Sequence, residues 1–261
     1  MIPQRTIAEW HKNVAWSTQD MIERDIVISK ALISLYSNPI IQEKLIFRGG
    51  TALNKLHINP PSRYSEDIDF VQRHPEPVGQ LINAIRSCLD SWLDEPQRRI
   101  TEYGIKLTYR YRATNGHPMK LKVEINPTEF FNALELDYRV YSIDSSWFKG
   151  SAVITTYQLE ELMATKIRAL FQRRKGRDLY DLWHVFSQDQ VNIEKAVTLF
   201  QLYCSRGGTP ISRKVFLENM EQKRLHRGFR EDMQRLLPYG TKWNFDDAYE
   251  FVIKHVITKI P

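Results

Sequence analysis

Residues 18–36 place Met21, Ile22, Ile26, Leu32, Ile33 and Tyr36 near one face at helical spacing, with Thr18 ahead of them as an N-cap. Ser29 falls inside that stripe and interrupts it. A shorter helix is predicted over 6–15, and Asn38-Pro39 marks a break. The pattern then changes. An apolar run at 45–47 ends at Gly49-Gly50, which predicts a strand entering a glycine turn. Residues 51–57 suit one or two helical turns, stopped by Pro60-Pro61. Residues 67–72 partly alternate and predict a strand, and 78–93 an amphipathic helix. Residues 100–111 and 119–126 are β-like and joined by a polar turn at Asn115-Gly116, with short strands at 140–143 and 152–156. After Tyr157 the period is helical, with helices predicted at 158–174, 178–187, 191–204, 211–222, 228–237 and 245–258.

Mixed elements followed by helices alone predict an α+β domain over 1–157 and a helical domain over 158–261. A length of 261 residues allows one large or two small domains, and 42% hydrophobic with 26% charged residues is ordinary globular usage. Two cysteines, Cys88 and Cys204, exclude a disulfide scaffold and a cysteine-based zinc module. The N-terminus lacks the apolar core of a signal peptide, and no apolar run approaches bilayer-spanning length, so the expectation is a cytoplasmic protein with no membrane partner. A formal net charge of +6 permits a polyanionic partner without establishing one.

The candidate chemistry begins at 47–71. Gly49-Gly50-Thr51 follows a strand and opens a helix, so its backbone N–H groups can approach a phosphate closely. A tight strand-to-helix turn explains the glycines equally well. The segment is not a P-loop, because Lys55 has no glycine before it. Downstream, Ser65-Glu66-Asp67-Ile68-Asp69-Phe70 puts Asp67 and Asp69 on one strand face. Paired carboxylates repel unless a cation lies between them, and Mg²⁺ takes one or two carboxylates plus substrate phosphates. The alternative is the solvated face of a half-buried strand. In residues 120–126, Glu124 shares a face with Lys120, Lys122 and Asn126. It would complete a carboxylate trio if its strand lay beside that of Asp67 and Asp69. Histidines show no H-E-x-x-H pattern, and Ser65 has no neighbouring His–Asp partner.

Taken together, residues 49–55 and 65–69, the later acidic strand, a lysine-bearing helix and Arg177-Asp178-x-x-Asp181 resemble the AbiEii-type nucleotidyltransferases. These are the toxins of abortive-infection toxin–antitoxin systems, in the DNA polymerase β-like superfamily. The resemblance spans about residues 47–183. It implies a polymerase-β-like mixed sheet flanked by helices, followed by a helical C-terminal domain that contributes to the active-site cleft. It implies a metal-dependent bacterial enzyme that moves a nucleotide from an NTP to an acceptor. Gly49, Gly50, Thr51, Lys55, Ser65 and Lys166 are then expected to bind the nucleotide. Asp67, Asp69 and Glu124 are expected to hold Mg²⁺ or Mn²⁺. Asp67, Asp69, Glu124, Lys166 and Asp178 form the expected catalytic set, with Asp178 orienting Lys166 or the nucleotide and Asp181 supporting the corner.

Lys166 lies in the apolar stripe of Leu159, Leu162, Met163, Ile167, Leu170 and Phe171. Either its stem packs and its amine snorkels to water, or it aims into a cleft; the resemblance favours the cleft. Asp178 alone would also suit a helix first turn. Basic stretches recur at 98–122, interleaved with Tyr103, Tyr109 and Tyr111, and at 206–235. They suit an RNA backbone with base stacking, or simply a solvated face. By resemblance the expected acceptor is tRNA, and the expected protein partner an antitoxin. The competing readings are a transferase acting on a protein or small molecule, and a catalytically inert nucleotide or nucleic-acid binder.

Overall fold

The computed structural model describes residues 2–189 and 191–261, which divide into two compact units. The first spans residues 1–132 and 136–157, the second 133–135 and 158–261.

The first unit opens with α1 (Gln4–Trp10), α2 (Gln19–Tyr36) and α3 (Pro39–Lys44). Thr18 caps α2 by accepting from the Met21 amide. Asn38-Pro39 both ends α2 and starts α3. Asn38 accepts from the Ile40 amide and Pro39 takes the first helical position, where its missing N–H costs nothing. Strand β1 (Leu45–Arg48) runs into α4 (Gly49–Ala52) and a π-helical turn at Leu53–His57. Then come β2 (Asp67–Gln72), α5 (Gly79–Leu93), β3 (Gln97–Thr101), β4 (Gly104–Arg112), β5 (Pro118–Asn126), β6 (Asp137–Asp144) and β7 (Lys149–Thr156). The single strand expected at 100–111 is a hairpin. Glu102-Tyr103 turns the chain, and Thr101 Oγ1 donates to the Gly104 carbonyl across the turn.

The seven strands form one sheet in the order β3-β4-β5-β2-β1-β7-β6. The β2–β5 and β1–β7 pairs are parallel and the others antiparallel. Ile105, Leu107 and Tyr109 of β4, Leu121, Val123 and Ile125 of β5, and Ile68 and Phe70 of β2 are all buried on one face. The positions between them alternate to the opposite, polar face. That alternation corrects the aromatic reading of the basic stretch. Tyr109 is buried and donates to Asp90 of α5, and the Tyr111 hydroxyl is buried as well. Of the three tyrosines, Tyr103 alone is strongly exposed.

The second unit holds α6 (Leu159–Gln172), α7 (Gly176–Phe186), α8 (Ile193–Arg206), α9 (Arg213–Arg224), α10 (Arg227–Arg230) and α11 (Phe245–His255). The helix expected over 228–237 stops at Arg230 and continues as turns. Phe229 and Met233 remain buried at helical spacing, while Asp232 turns its carboxylate to accept from the Arg177 amide at 3.0 Å. A tertiary hydrogen bond and the approach to Pro238 override the local period there. No helix among the described residues is long and apolar enough to cross a membrane. Cys88 and Cys204 are free thiols, each pushed upward in pKa by burial.

Candidate active site

The glycine turn and the acidic strand are fastened together. Thr51 Oγ1 donates to the Asp67 carbonyl at 2.5 Å, so the 2.7 Å contact between Thr51 and Ser65 must be donated by Ser65. Gly49 has φ +82°, and a Cβ there would lie 2.6 Å from Asp69 Oδ2. The glycine is what lets the Asp69 carboxylate reach the backbone of the turn. A Cβ on Gly50 would run into the Arg63 guanidinium and approach Ser65 Oγ to 3.3 Å. Asn54 completes the corner. Its amide donates to the Gly50 carbonyl at 3.0 Å, and its oxygen accepts from the Ser62 and Arg63 amides.

Parallel pairing brings the third carboxylate in. Asp69 is the register partner of Glu124, and Asp67 that of Lys122. On the other side Asp69 pairs in register with Arg48. One row across the polar face therefore reads Arg99, Lys106, Glu124, Asp69, Arg48. Neighbouring strands lend countercharges. Lys122 Nζ is 3.1 Å from Asp67 Oδ1, and Lys106 Nζ is 2.7 Å from Glu124 Oε1. Arg48 bonds Glu129 at 2.8 Å. Burial alone would lower its guanidinium, but Glu129, Tyr157 and Asp69 outweigh burial and hold it above its usual value. Asn126 accepts from the Thr128 and Glu129 amides, an Asx turn that sets Glu129 in place. Arg48, Glu129, Asn54, Arg63 and Lys106 were not foreseen. The signal for Arg48 was its place beside the glycines, but Glu129 lies 81 residues away and only the sheet order pairs them.

Among the described residues no three His, Cys, Asp or Glu groups lie together as a metal cage. Two hard carboxylates on one face, with Glu124 beside Asp69, suit instead a divalent ion that takes its remaining oxygens from substrate and water.

Lys55 is not brought to this corner. Its amine is buried 2.6 Å from Asp25 Oδ1 and donates to Ser29 Oγ at 2.8 Å. Trp10 donates to the same Asp25 oxygen, and Tyr141 donates to Ser29. Burial would lower the Lys55 amine, yet Asp25 and Tyr141 hold it above its ordinary value. The lysine ties the turn after α4 to α2, which is a structural role.

In the helical unit Lys166 is buried and its amine does not reach water as a snorkelling stem would. It lies 2.7 Å from Asp181 Oδ2 and 3.2 Å from Asp178 Oδ1. Arg173 grips Asp178 with Nε at 2.7 Å and Nη2 at 2.9 Å. Burial would raise the Asp178 carboxyl, but Lys166 and Arg173 together hold it down at about 2. Lys166, Asp178 and Asp181 are buried together and the exposed Arg173 closes over Asp178 from the surface, consistent with the rule that buried charge is paired.

A strand–glycine turn–helix corner beside a D-x-D strand, on a mixed sheet with a third acidic strand in parallel register, places together the motifs that carry the resemblance to nucleotidyltransferases. The sequence profile of the nucleotidyl transferase AbiEii toxin family of type IV toxin–antitoxin systems matches residues 30–251, and the chain belongs to that family. The structure is similar to MenT4, a nucleotidyltransferase toxin from Mycobacterium tuberculosis, with a TM-score of 0.66 and 18% identity over 100% of this chain and 91% of that one. It is also similar to JHP933 from Helicobacter pylori, with a TM-score of 0.52 and 15% identity over 93% and 95% of the two chains. At these identities the likeness is one of fold. No curated protein matches the sequence.

Proposed function

We propose that this toxin transfers a nucleotide from an NTP to an RNA acceptor, tRNA by family resemblance, in a reaction that depends on a divalent metal. The observation that carries it is the parallel register that sets Glu124 beside Asp69, with Gly49 against the Asp69 carboxylate. Gly49, Gly50, Thr51 and Ser65 form the corner that receives the triphosphate. Asp67 and Asp69 would hold Mg²⁺ or Mn²⁺, which when bound neutralises phosphate charge and aligns the attacking and leaving oxygens. Glu124 accepts the proton of the acceptor hydroxyl or completes the metal shell. In the helical unit Asp178 and Asp181 hold the buried Lys166 and brace the α6–α7 corner. Pyrophosphate leaves, and an antitoxin opposes the product's effect. By family resemblance the reaction takes place in the cytoplasm of a bacterium.

Each labelled NTP, incubated with the protein, Mg²⁺ and total cellular RNA, should leave label on RNA of one size class. The label should vanish with Asp67→Ala and with a chelator. Label on protein instead of RNA would favour a protein acceptor. No label anywhere would favour an inert nucleotide binder.

A further inference from the structure

The polar face of the sheet does not end at the carboxylates. Moving from β2 toward the edge, β5 presents Lys120, Lys122 and Glu124, β4 presents Lys106, Thr108, Arg110 and Arg112, and β3 presents Arg99. Register fixes these as neighbours on one face: Arg110 pairs with Lys120, Thr108 with Lys122, and Lys106 with both Glu124 and Arg99. Lys106 and Lys122 are engaged by Glu124 and Asp67. Arg99, Arg110, Arg112 and Lys120 are exposed, and none of them forms an ion pair with a described carboxylate. The contacts of Arg110 and Arg112 are to neutral oxygens, Gln97 Oε1 at 3.3 Å and the Gly116 carbonyl at 3.1 Å. Same-face residues repeat every ~7 Å along a strand, and adjacent strands lie ~4.8 Å apart. Lys120 is thus only about 13 Å along β5 from Glu124.

We propose that this β3–β4–β5 face is the track for the sugar–phosphate backbone of a single-stranded RNA acceptor, leading its terminal hydroxyl to Asp67 and Asp69. The assignment rests on the transferase reading and adds to it where the acceptor lies. Charge complementarity names the occupant. Side-by-side guanidinium forks suit phosphate oxygens better than isolated ammonium groups do. The strand repeat offers successive cations to a polymer of evenly spaced anions. The exposed Tyr103 at the β3–β4 turn adds an aromatic face at the end of the sheet nearer Glu124.

The test uses the full chain and a fluorescein-labelled single-stranded RNA, titrated by anisotropy at several salt concentrations. Arg110→Glu with Lys120→Glu should weaken binding at least tenfold and flatten the salt dependence by a log–log slope of about 1–2. Its melting temperature should match the wild type, since both side chains are exposed. Lys214→Glu with Arg235→Glu, an exposed pair in the helical unit's basic stretch, should leave affinity and slope unchanged. Two results overturn the track: unchanged binding by the sheet variant, or a greater loss in the helical-unit variant. Either can occur while the wild type still labels RNA from NTP, in which case the transferase reading stands. A wild-type protein that labels no RNA overturns that reading itself.

Discussion

Gly49 shows how one side chain's absence shapes the site. Its φ of +82° is open to glycine at little cost, and the space a Cβ would need holds the Asp69 carboxylate. Gly49→Ala should therefore cost roughly 1–3 kcal/mol in backbone strain and displace Asp69 as well. Thermal melting should show the first loss, and transfer activity should fall by more than the lost folded fraction explains. Two charged residues within 12 positions of each other make the complementary contrast. Lys55→Met strands a buried Asp25 and should destabilise by roughly 3–5 kcal/mol in urea. Asp67→Asn, half-exposed beside Lys122, should melt within a few degrees of the wild type yet lose at least a hundredfold in transfer. If Lys55→Met melted normally and lost nucleotide affinity, the structural assignment of Lys55 would be wrong. The D-x-D face was legible in the sequence because strand alternation is local. The fate of Lys55 was not, because its partner Asp25 lies on α2, 30 residues back. Ser29, which seemed to spoil the α2 stripe, is buried and accepts from Lys55.

At the scale of elements, side chains close helix ends that would otherwise leave polar groups without partners. Asn54 joins α4 to the loop before β2, and Asn54→Ala leaves the Arg63 amide without its acceptor. A loss of about 2–3 kcal/mol is expected, read as a lower urea midpoint with little change in slope. Lys223 of α9 donates to the Leu170 and Phe171 carbonyls at the end of α6, where a cation also meets the helix dipole favourably. Burial, with Arg174 adding to it, pushes the Lys223 amine down to about 8 against the pull of Asp178. The unfolded chain then holds the extra proton between pH 8 and about 10.5, so this group makes stability rise with pH across that window. Lys223→Met should lower stability at pH 7 by about 1–3 kcal/mol and remove that rise, both visible in urea melts from pH 7 to 10. Helix and strand positions were largely readable because hydrophobic period is a local property. The β3–β4 hairpin was missed because Glu102-Tyr103 carries no turn signal of its own, and the 231–237 turns because Asp232 is recruited by Arg177.

Across the whole molecule, a net charge of +6 averages over charges with quite different work. Some line the polar sheet face, and others are sealed inside each unit, as Lys55 with Asp25 and Lys166 with Asp178 and Asp181. Sequence could assign the acidic strand and the lysine helix to one family, since those motifs are short and ordered. It could not show that Arg173 and Lys166 share Asp178, because only the folded turn between α6 and α7 brings them together. The sealed charges govern how the protein meets acid. Asp178 sits at about 2 when folded, below the 3.8 of a free side chain, so its stabilisation is complete above pH 4 and is lost as pH falls toward 2. Protonating it breaks the Arg173 fork and leaves Lys166 with Asp181 as its remaining carboxylate. Urea midpoints measured from pH 6 down to 2 should fall steeply below pH 4. Asp178→Asn should start lower at pH 6, having lost the same contacts at the outset, and then decline less steeply. Parallel curves for the two proteins would mean that the acid response belongs to other carboxylates.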